Sequence, residues 1–401
     1  MSDSFILVHE FSLYGGFNGT ESSLGARQGS AANTILSGVI DSNPSPPGNS
    51  LHILLVPSGV TVPRLDGFTI ERANADSSVV SGQGNGGGLL LDGGRVGVLS
   101  NCHFRDNLAD RGGAIGAFAA VLSIKNCTFH RNAARELGGA IWVERLLADA
   151  TVTPAVPSSI FSSQFDYNYA GVGGIGGGGA IFFGGGSNGP NDPSDGPGLI
   201  YNCLFHDNVA INVEGGGAAI FLAPRDDSFV LVGNCTIANN TVYHSGSPVY
   251  AAAGVFLAHP SATCEISNSV LWDNVAYTSG ATNLQANFDS FGVGVAGFTL
   301  NYSNIGGGTI WPGSGNISAV PNFVDSVHRD YKLLSTSPCI DAGNDTYIAP
   351  DYLDLDTDGD KVEPTPFELR LGIPRTWGLA LPPAPLIPDM GCYEYRETAG
   401  P

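Results

Sequence analysis

Positive charge is scarce in this chain. Its 401 residues hold 17 Lys and Arg against 37 Asp and Glu, a formal net charge of −20, and only 13% of residues are charged at all. That is about half the roughly 25% of an ordinary soluble domain. A nucleic-acid partner is excluded on this ground, because the phosphate backbone would be repelled. An anionic membrane surface is disfavoured for the same reason. No run of eighteen apolar residues occurs, so no transmembrane helix is expected. The first ten residues, Met1 to Glu10, have no basic stretch and too short an apolar run for a signal peptide. The chain is therefore expected either to be intracellular or to lack a targeting segment that was removed or never included. Apolar runs of two to four residues, broken by Asn and Gly, rule out long helices.

Glycine is abundant instead, at 56 residues, and hydrophobic residues make up 42% with 9% aromatics. Enough apolar surface exists for a real core, which argues against disorder, and the Gly follows no collagen-like period. One phrase recurs. It reads Leu99-Ser-Asn-Cys-His-Phe-Arg-Asp-Asn107 and then Gly112-Gly-Ala-Ile115. It returns as Ile124 to Asn132 with Gly138-Gly-Ala-Ile141, as Phe161 to Asn168 with Gly178-Gly-Ala-Ile181, and as Ile200 to Asn208 with Gly217-Ala-Ala-Ile220. Weaker copies begin at Val232, Ile266 and Leu300. Taking the Cys or its substitute as marker, the copies sit at 102, 127, 163, 203, 235, 269 and 303, spaced by 25, 36, 40, 32, 34 and 34. Constant strand phrases with elastic Gly-rich gaps are the mark of a solenoid.

The expected fold is all-β, a single-stranded right-handed parallel β-helix of about eight or nine coils spaced by ~4.8 Å. Its handedness follows from the general bias of parallel crossovers. The expected domains are the β-helix over 1–315 and a capping segment over 316–401. Asn107, Asn132, Asn168, Asn208, Asn240 and Asn274 are expected at turns, in left-handed backbone, with amides bonded to the Asn above and below. The Gly-Gly pairs give the corner into the next strand. Cys102, Cys127, Cys203 and Cys235 share one register and read as stacked free thiols; Cys264 is out of register. Insertions fall at corners, where binding usually sits.

Leu13-Tyr-Gly-Gly-Phe-Asn-Gly-Thr-Glu21, Arg27, Thr34-Ile-Leu-Ser-Gly38 and Leu65-Asp-Gly-Phe-Thr-Ile70 resemble phrases of secreted bacterial right-handed β-helix repeat proteins. Ser337-Pro-Cys-Ile-Asp-Ala-Gly343 and Asp389-Met-Gly-Cys-Tyr-Glu394 resemble the choice-of-anchor Q region found in them. The resemblance implies this fold and a secreted or cell-surface setting, and little chemistry. Relatives usually carry a signal peptide, an earlier strand and often a sorting tail, so the chain is expected to be a trimmed piece. The two C-terminal phrases are expected to pack together, with Cys339 and Cys392 forming a disulfide; the alternative is two buried free thiols. Asp354-Leu-Asp356-Thr-Asp358-Gly-Asp360 suits Ca²⁺, since hard cations take several carboxylate oxygens. It lacks the Glu of an EF-hand, and the competing reading is a turn held by Asx hydrogen bonds.

The residue after each interior Phe should face outward. That column reads Arg105, His130, Asp166, His206, Ala238, Trp272, flanked at the turn by Asp106, Arg131, Tyr167, Asp207, Asn239, Asp273. Stacking would gather His130, Asp166, His206, Arg131, Tyr167 and Asp207, a set fit for general acid–base work on a polysaccharide, by lyase or hydrolase chemistry. Arg105, Trp272 and Trp142 are the candidate substrate contacts. The bland alternative is a solvated polar face with cross-strand charge pairs. Trp142, Phe182, Phe221 and Phe256 read rather as an aromatic core stack than as a platform. Two functions stand: a non-catalytic surface module binding glycan or partner proteins, and a polysaccharide lyase or glycoside hydrolase. An acidic polymer is a poor match for a chain of −20, and a neutral glycan an easier one.

Overall fold

The computed structural model describes residues 4–40, 49–75, 84–146, 158–171, 176–184, 198–212, 216–223, 229–244, 252–259, 263–278, 282–283, 286–290, 297–355, 359–361, 363–369 and 387–396. Short strands recur in a fixed order and stack into four sheets of nine, nine, nine and eight strands. Sheet 1 includes Leu89–Asp92, Ile115–Ala120, Ile141–Leu146, Ile181–Gly184 and Ile220–Ala223. Sheet 2 includes Arg95–Ser100, Leu122–Lys125, Ser159–Phe161 and Gly198–Tyr201. Sheet 3 includes Thr69–Glu71, His103–Arg105, Thr128–His130, Gln164–Asp166, Leu204–His206, Thr236–Ala238 and Val270–Trp272. Sheet 4 includes Leu108–Arg111, Ala133–Leu137, Tyr169–Ala170 and Val209–Asn212. Pairing within all four sheets is parallel, except for a final antiparallel strand at Thr282–Asn283. This is a parallel β-helix, as the repeats imply. Among the described residues the only helices are short 3₁₀ turns such as Leu24–Ala26 and Ala31–Asn33.

The coil interior is filled by in-register side chains. Phe104, Phe129, Phe165 and Phe205 stack with ring centroids 5.2, 4.6 and 4.7 Å apart. Cys102, Cys127, Cys203 and Cys235 precede successive strands of sheet 3, each fully buried, with Ser163 in the same file. They behave as small apolar fillers, and burial holds the Cys127 and Cys203 thiols well above their usual range. Cys264 pairs across sheet 2 with Val230 and Phe298 and faces the same core.

An asparagine ladder runs beside this file. Asn107, Asn132, Asn168, Asn208 and Asn240 each donate an Nδ2 hydrogen to the Oδ1 of the next, at 3.0, 3.1, 2.9, 2.9 and 2.9 Å, ending on Asn274. The left-handed backbone lies one residue earlier than expected. Asp106, Arg131, Tyr167, Asp207, Asn239 and Asp273 have φ between 51° and 58°. The reason is directional: the Asn side chain must point inward to reach the next coil, so the chain turns at the residue before it. The Gly corner is a steric necessity. Gly112, Gly138 and Gly178 have φ near +65°, and a Cβ there would lie 2.1–2.3 Å from the carbonyl oxygen of Ile115, Ile141 or Ile181.

The last parallel strand of sheet 3 is Asn304–Ile305, and Trp311 packs on Phe288 at 4.7 Å to close that end. The C-terminal segment then runs back along the flank of the coils. It starts with a hairpin, Phe323–Asp325 with Asp330–Leu333. Asn268 donates to Asn344 O at 2.9 Å, Asn202 to Phe367 O at 2.7 Å, and Lys125 Nζ to Leu353 O and Asp354 O at 3.0 and 2.9 Å. The two C-terminal phrases meet: Asp341 N donates to Asp389 Oδ1 at 2.8 Å and Met390 N to Cys339 O at 3.0 Å. The expected sulfur bridge is not part of that contact. Cys339 and Cys392 are both buried free thiols over different coils. Cys339 packs with Val270 and receives the Asn304 amide, whereas Cys392 packs with Leu204 and Ala238.

Candidate functional site

Sheet 3 carries the outward column. Its register pairs Glu71 with Arg105, then Arg105 with His130, His130 with Asp166, Asp166 with His206, His206 with Ala238 and Ala238 with Trp272. His130, Asp166, His206, Arg131, Tyr167 and Asp207 therefore form one strip. His130 Nδ1 lies 2.5 Å from Asp166 Oδ2. Arg131 forks onto Asp106 at 2.9 and 3.1 Å, and Arg105 binds Glu71 at 2.6 Å. Cross-strand charge pairs thus account for the N-terminal half.

The strip divides at Tyr167, whose ring meets His130 and His206 edge-on at 5.8 and 6.0 Å. His130 keeps a third of its side chain exposed. His206 is only 3% exposed. Its Nδ1 is 2.8 Å from Asp207 Oδ2, its Nε2 is 3.2 Å from the Gln164 amide nitrogen, and the Tyr331 ring lies 5.4 Å away. Asp207 is held by Arg329 of the C-terminal hairpin at 2.5 and 2.8 Å and by Asn239 at 2.5 Å. With both ring nitrogens engaged and its faces covered, His206 has no opening to a polymer. The sequence brings the six residues together, and the C-terminal segment then seals two of them.

Beyond Asp207 the strip opens into a groove of about 580 Å³. Its coil side is Asn239, Trp272 and Asp273; its hairpin side includes Asn322, Ser326, Arg329 and Tyr331. Trp272 is partly exposed there. Tyr331 is 2% exposed, and its hydroxyl has no hydrogen-bond partner among the described residues. Burial, and then the charge of Asp207, push that phenol's pKa up, so the hydroxyl stays a donor.

Trp142 lies elsewhere, in sheet 1 beside Phe182. It is 2% exposed with the Arg111 guanidinium 5.8 Å over its ring, and Phe182, Phe221 and Phe256 continue the column at 5.3 and 5.2 Å. It is a packed residue and not a sugar platform. Of the acidic loop, Asp356 and Asp358 lie outside the described residues. Asp354 Oδ1 accepts the Gly359 N–H at 3.1 Å, an Asx-type turn contact. Whether the insertions at 144–158 and 184–198 wall a groove over the His130 face falls outside the described residues, which leave out 147–157 and 185–197.

Sequence reasoning missed Arg329 and Tyr331 as site residues, since 122 residues separate Arg329 from Asp207. It also missed a second cavity of about 560 Å³ on another edge of the coil. A family model described as "Right handed beta helix region" matches residues 58–297. No curated protein matches the chain.

Proposed function

The chain belongs to the right-handed β-helix family, and from that premise we propose that it is a secreted or cell-surface, non-catalytic module that binds a neutral glycan in the groove between Trp272 and the C-terminal hairpin. The observation that carries this reading is the partly exposed Trp272 ring, which lines the groove together with the polar side chains of Asn239, Asp273, Asn322 and Arg329. Sugars present an apolar face to an aromatic ring and hydroxyls to planar amides, carboxylates and guanidinium. Asn239, Asp273, Asn322 and Arg329 line the groove in reach of such a ligand. The volume falls within the roughly 300–1,000 Å³ usual for ligand sites. A net charge of −20 disfavours a polyanion at this face. The surface setting rests on the two C-terminal phrases that resemble a choice-of-anchor region and pack on each other.

A glycan array with the intact protein, followed by titration of its best neutral hit, tests the proposal. Trp272→Ala should weaken that hit by about tenfold or more, with no new reducing ends formed by the parent protein. Unchanged affinity in the variant removes the groove from the reading. A second reading, polysaccharide cleavage, is favoured only by the partly exposed His130 on Asp166. Cleavage that disappears in His130→Ala would establish it in place of the first.

A further inference from the structure

The second cavity gathers Arg27, Arg64 and Lys125, three of the chain's 17 cationic side chains, around Asp66. Asp66 is already saturated. It is 2% exposed, pairs with Arg27, and accepts from Ser100 Oγ at 2.5 Å and Asn101 Nδ2 at 2.8 Å. The other carboxylate lining the cavity, Glu368, is 1% exposed and accepts the Glu394 backbone N–H. Arg64 is different. Its guanidinium approaches Ser100 Oγ at 3.5 Å and Asp66 at 3.9 Å, and a third of the side chain is exposed. It carries more donors than these distant acceptors can use.

Lys125 adds to the excess. Two of its ammonium hydrogens are placed on Leu353 O and Asp354 O, which leaves a third. Burial, and next the nearby charge of Arg64, push its pKa down. An anion between Arg64 and Lys125 would relieve that repulsion. The remaining wall mixes the polar Asn101, Asn126 and Ser162 with an apolar portion that includes Phe367 and Tyr14. Long polyanions are repelled by the protein's net charge, but a single charge on a small molecule meets a locally positive pocket.

We propose that this cavity binds a small organic monoanion, a carboxylate carried on a ring. The carboxylate sits on Arg64 and the free Lys125 hydrogen, and the ring lies against Phe367 and Tyr14. Sugar acids and aromatic acids share this chemistry. The site is independent of the Trp272 groove.

The test is calorimetric titration of the intact protein with galacturonate, benzoate and, as the uncharged control, galactose, at up to about 10 mM. Galacturonate or benzoate should bind, and more weakly as NaCl is raised; whichever does so identifies the source. Galactose should not compete. Arg64→Gln should weaken binding by roughly tenfold or more, Arg64→Lys should restore part of it, and Trp272→Ala should leave it intact. Melting curves confirm that the variants fold. The proposal is overturned if neither acid binds, if galactose competes equally, or if Arg64→Gln binds as the parent does.

Discussion

Replacing Asn208 with alanine should be among the most damaging single changes to the coil. The residue is fully buried. Its Oδ1 accepts from Asn168 N at 3.1 Å and from Asn168 Nδ2 at 2.9 Å. Its Nδ2 donates to Phe165 O and to Asn240 Oδ1, both at 2.9 Å. Alanine deletes all four and leaves the Asn168 N–H and the Phe165 carbonyl without side-chain partners in a dry interior. At about 1 kcal/mol net for each bond, the loss is about 4 kcal/mol, and the orphaned groups push it no lower. That is a large part of the ~5–15 kcal/mol by which domains are stable. Urea unfolding followed by circular dichroism gives the number. Asn168→Ala should cost a similar amount, and the double variant about 1 kcal/mol less than the sum, because the Asn168 Nδ2 to Asn208 Oδ1 bond is lost in both. A loss under about 1 kcal/mol, or strict additivity, would refute the view that the ladder holds the turns.

Three further outcomes follow from the same structure. Burial lowers the pKa of His52, whose Nδ1 lies 3.0 Å from Gly86 O. The unfolded chain therefore binds the extra proton, and stability should be intact above about pH 6.5 and fall as pH drops below it; His52→Gln should flatten that dependence in melting temperatures between pH 7.5 and 5.5, and an unchanged slope contradicts the assignment. Arg329→Ala should cost about 1–3 kcal/mol, because it strips a forked partner from Asp207, whose side chain is 10% exposed. It should also raise hydrogen exchange in 323–333 while the coils stay protected, and uniform exchange across the chain would show that the hairpin is not pinned there. All seven cysteines are buried free thiols, with burial pushing Cys339 up to about 11. A thiol reagent at pH 8 should label none in the folded protein and seven after denaturation; five would mean that Cys339 and Cys392 are bridged.

The coil was legible because its determinants repeat. Phe, Asn and Cys recur at one place in each phrase, and parallel pairing turns that recurrence into the Phe104–Phe205 stack and the Asn107–Asn274 ladder. The same logic placed His130, Asp166 and His206 on one strip. What the repeats could not convey is non-periodic. Nothing in Asp330-Tyr-Lys-Leu333 says that Tyr331 covers His206, because that contact depends on how a unique segment folds back over the flank. The cavity at Arg64 and Lys125 has the same origin: the N-terminal segment, the coil edge and the C-terminal segment meet there only in three dimensions. The shift of the left-handed turn from Asn to its predecessor lay within one residue's resolution of the pattern, and was decided by which side chain must point inward.

The most direct test uses the four tryptophans. With 5-fluorotryptophan incorporated, fluorine NMR should give one resonance for each, assignable from single Trp→Phe variants. Titration with the neutral glycan selected on the array should move the Trp272 resonance while Trp142 and Trp311, packed in the coil, stay fixed and the glycan remains whole. A Trp272 signal that does not respond to a glycan the protein demonstrably holds, or a glycan that is cut during the titration, would contradict the account.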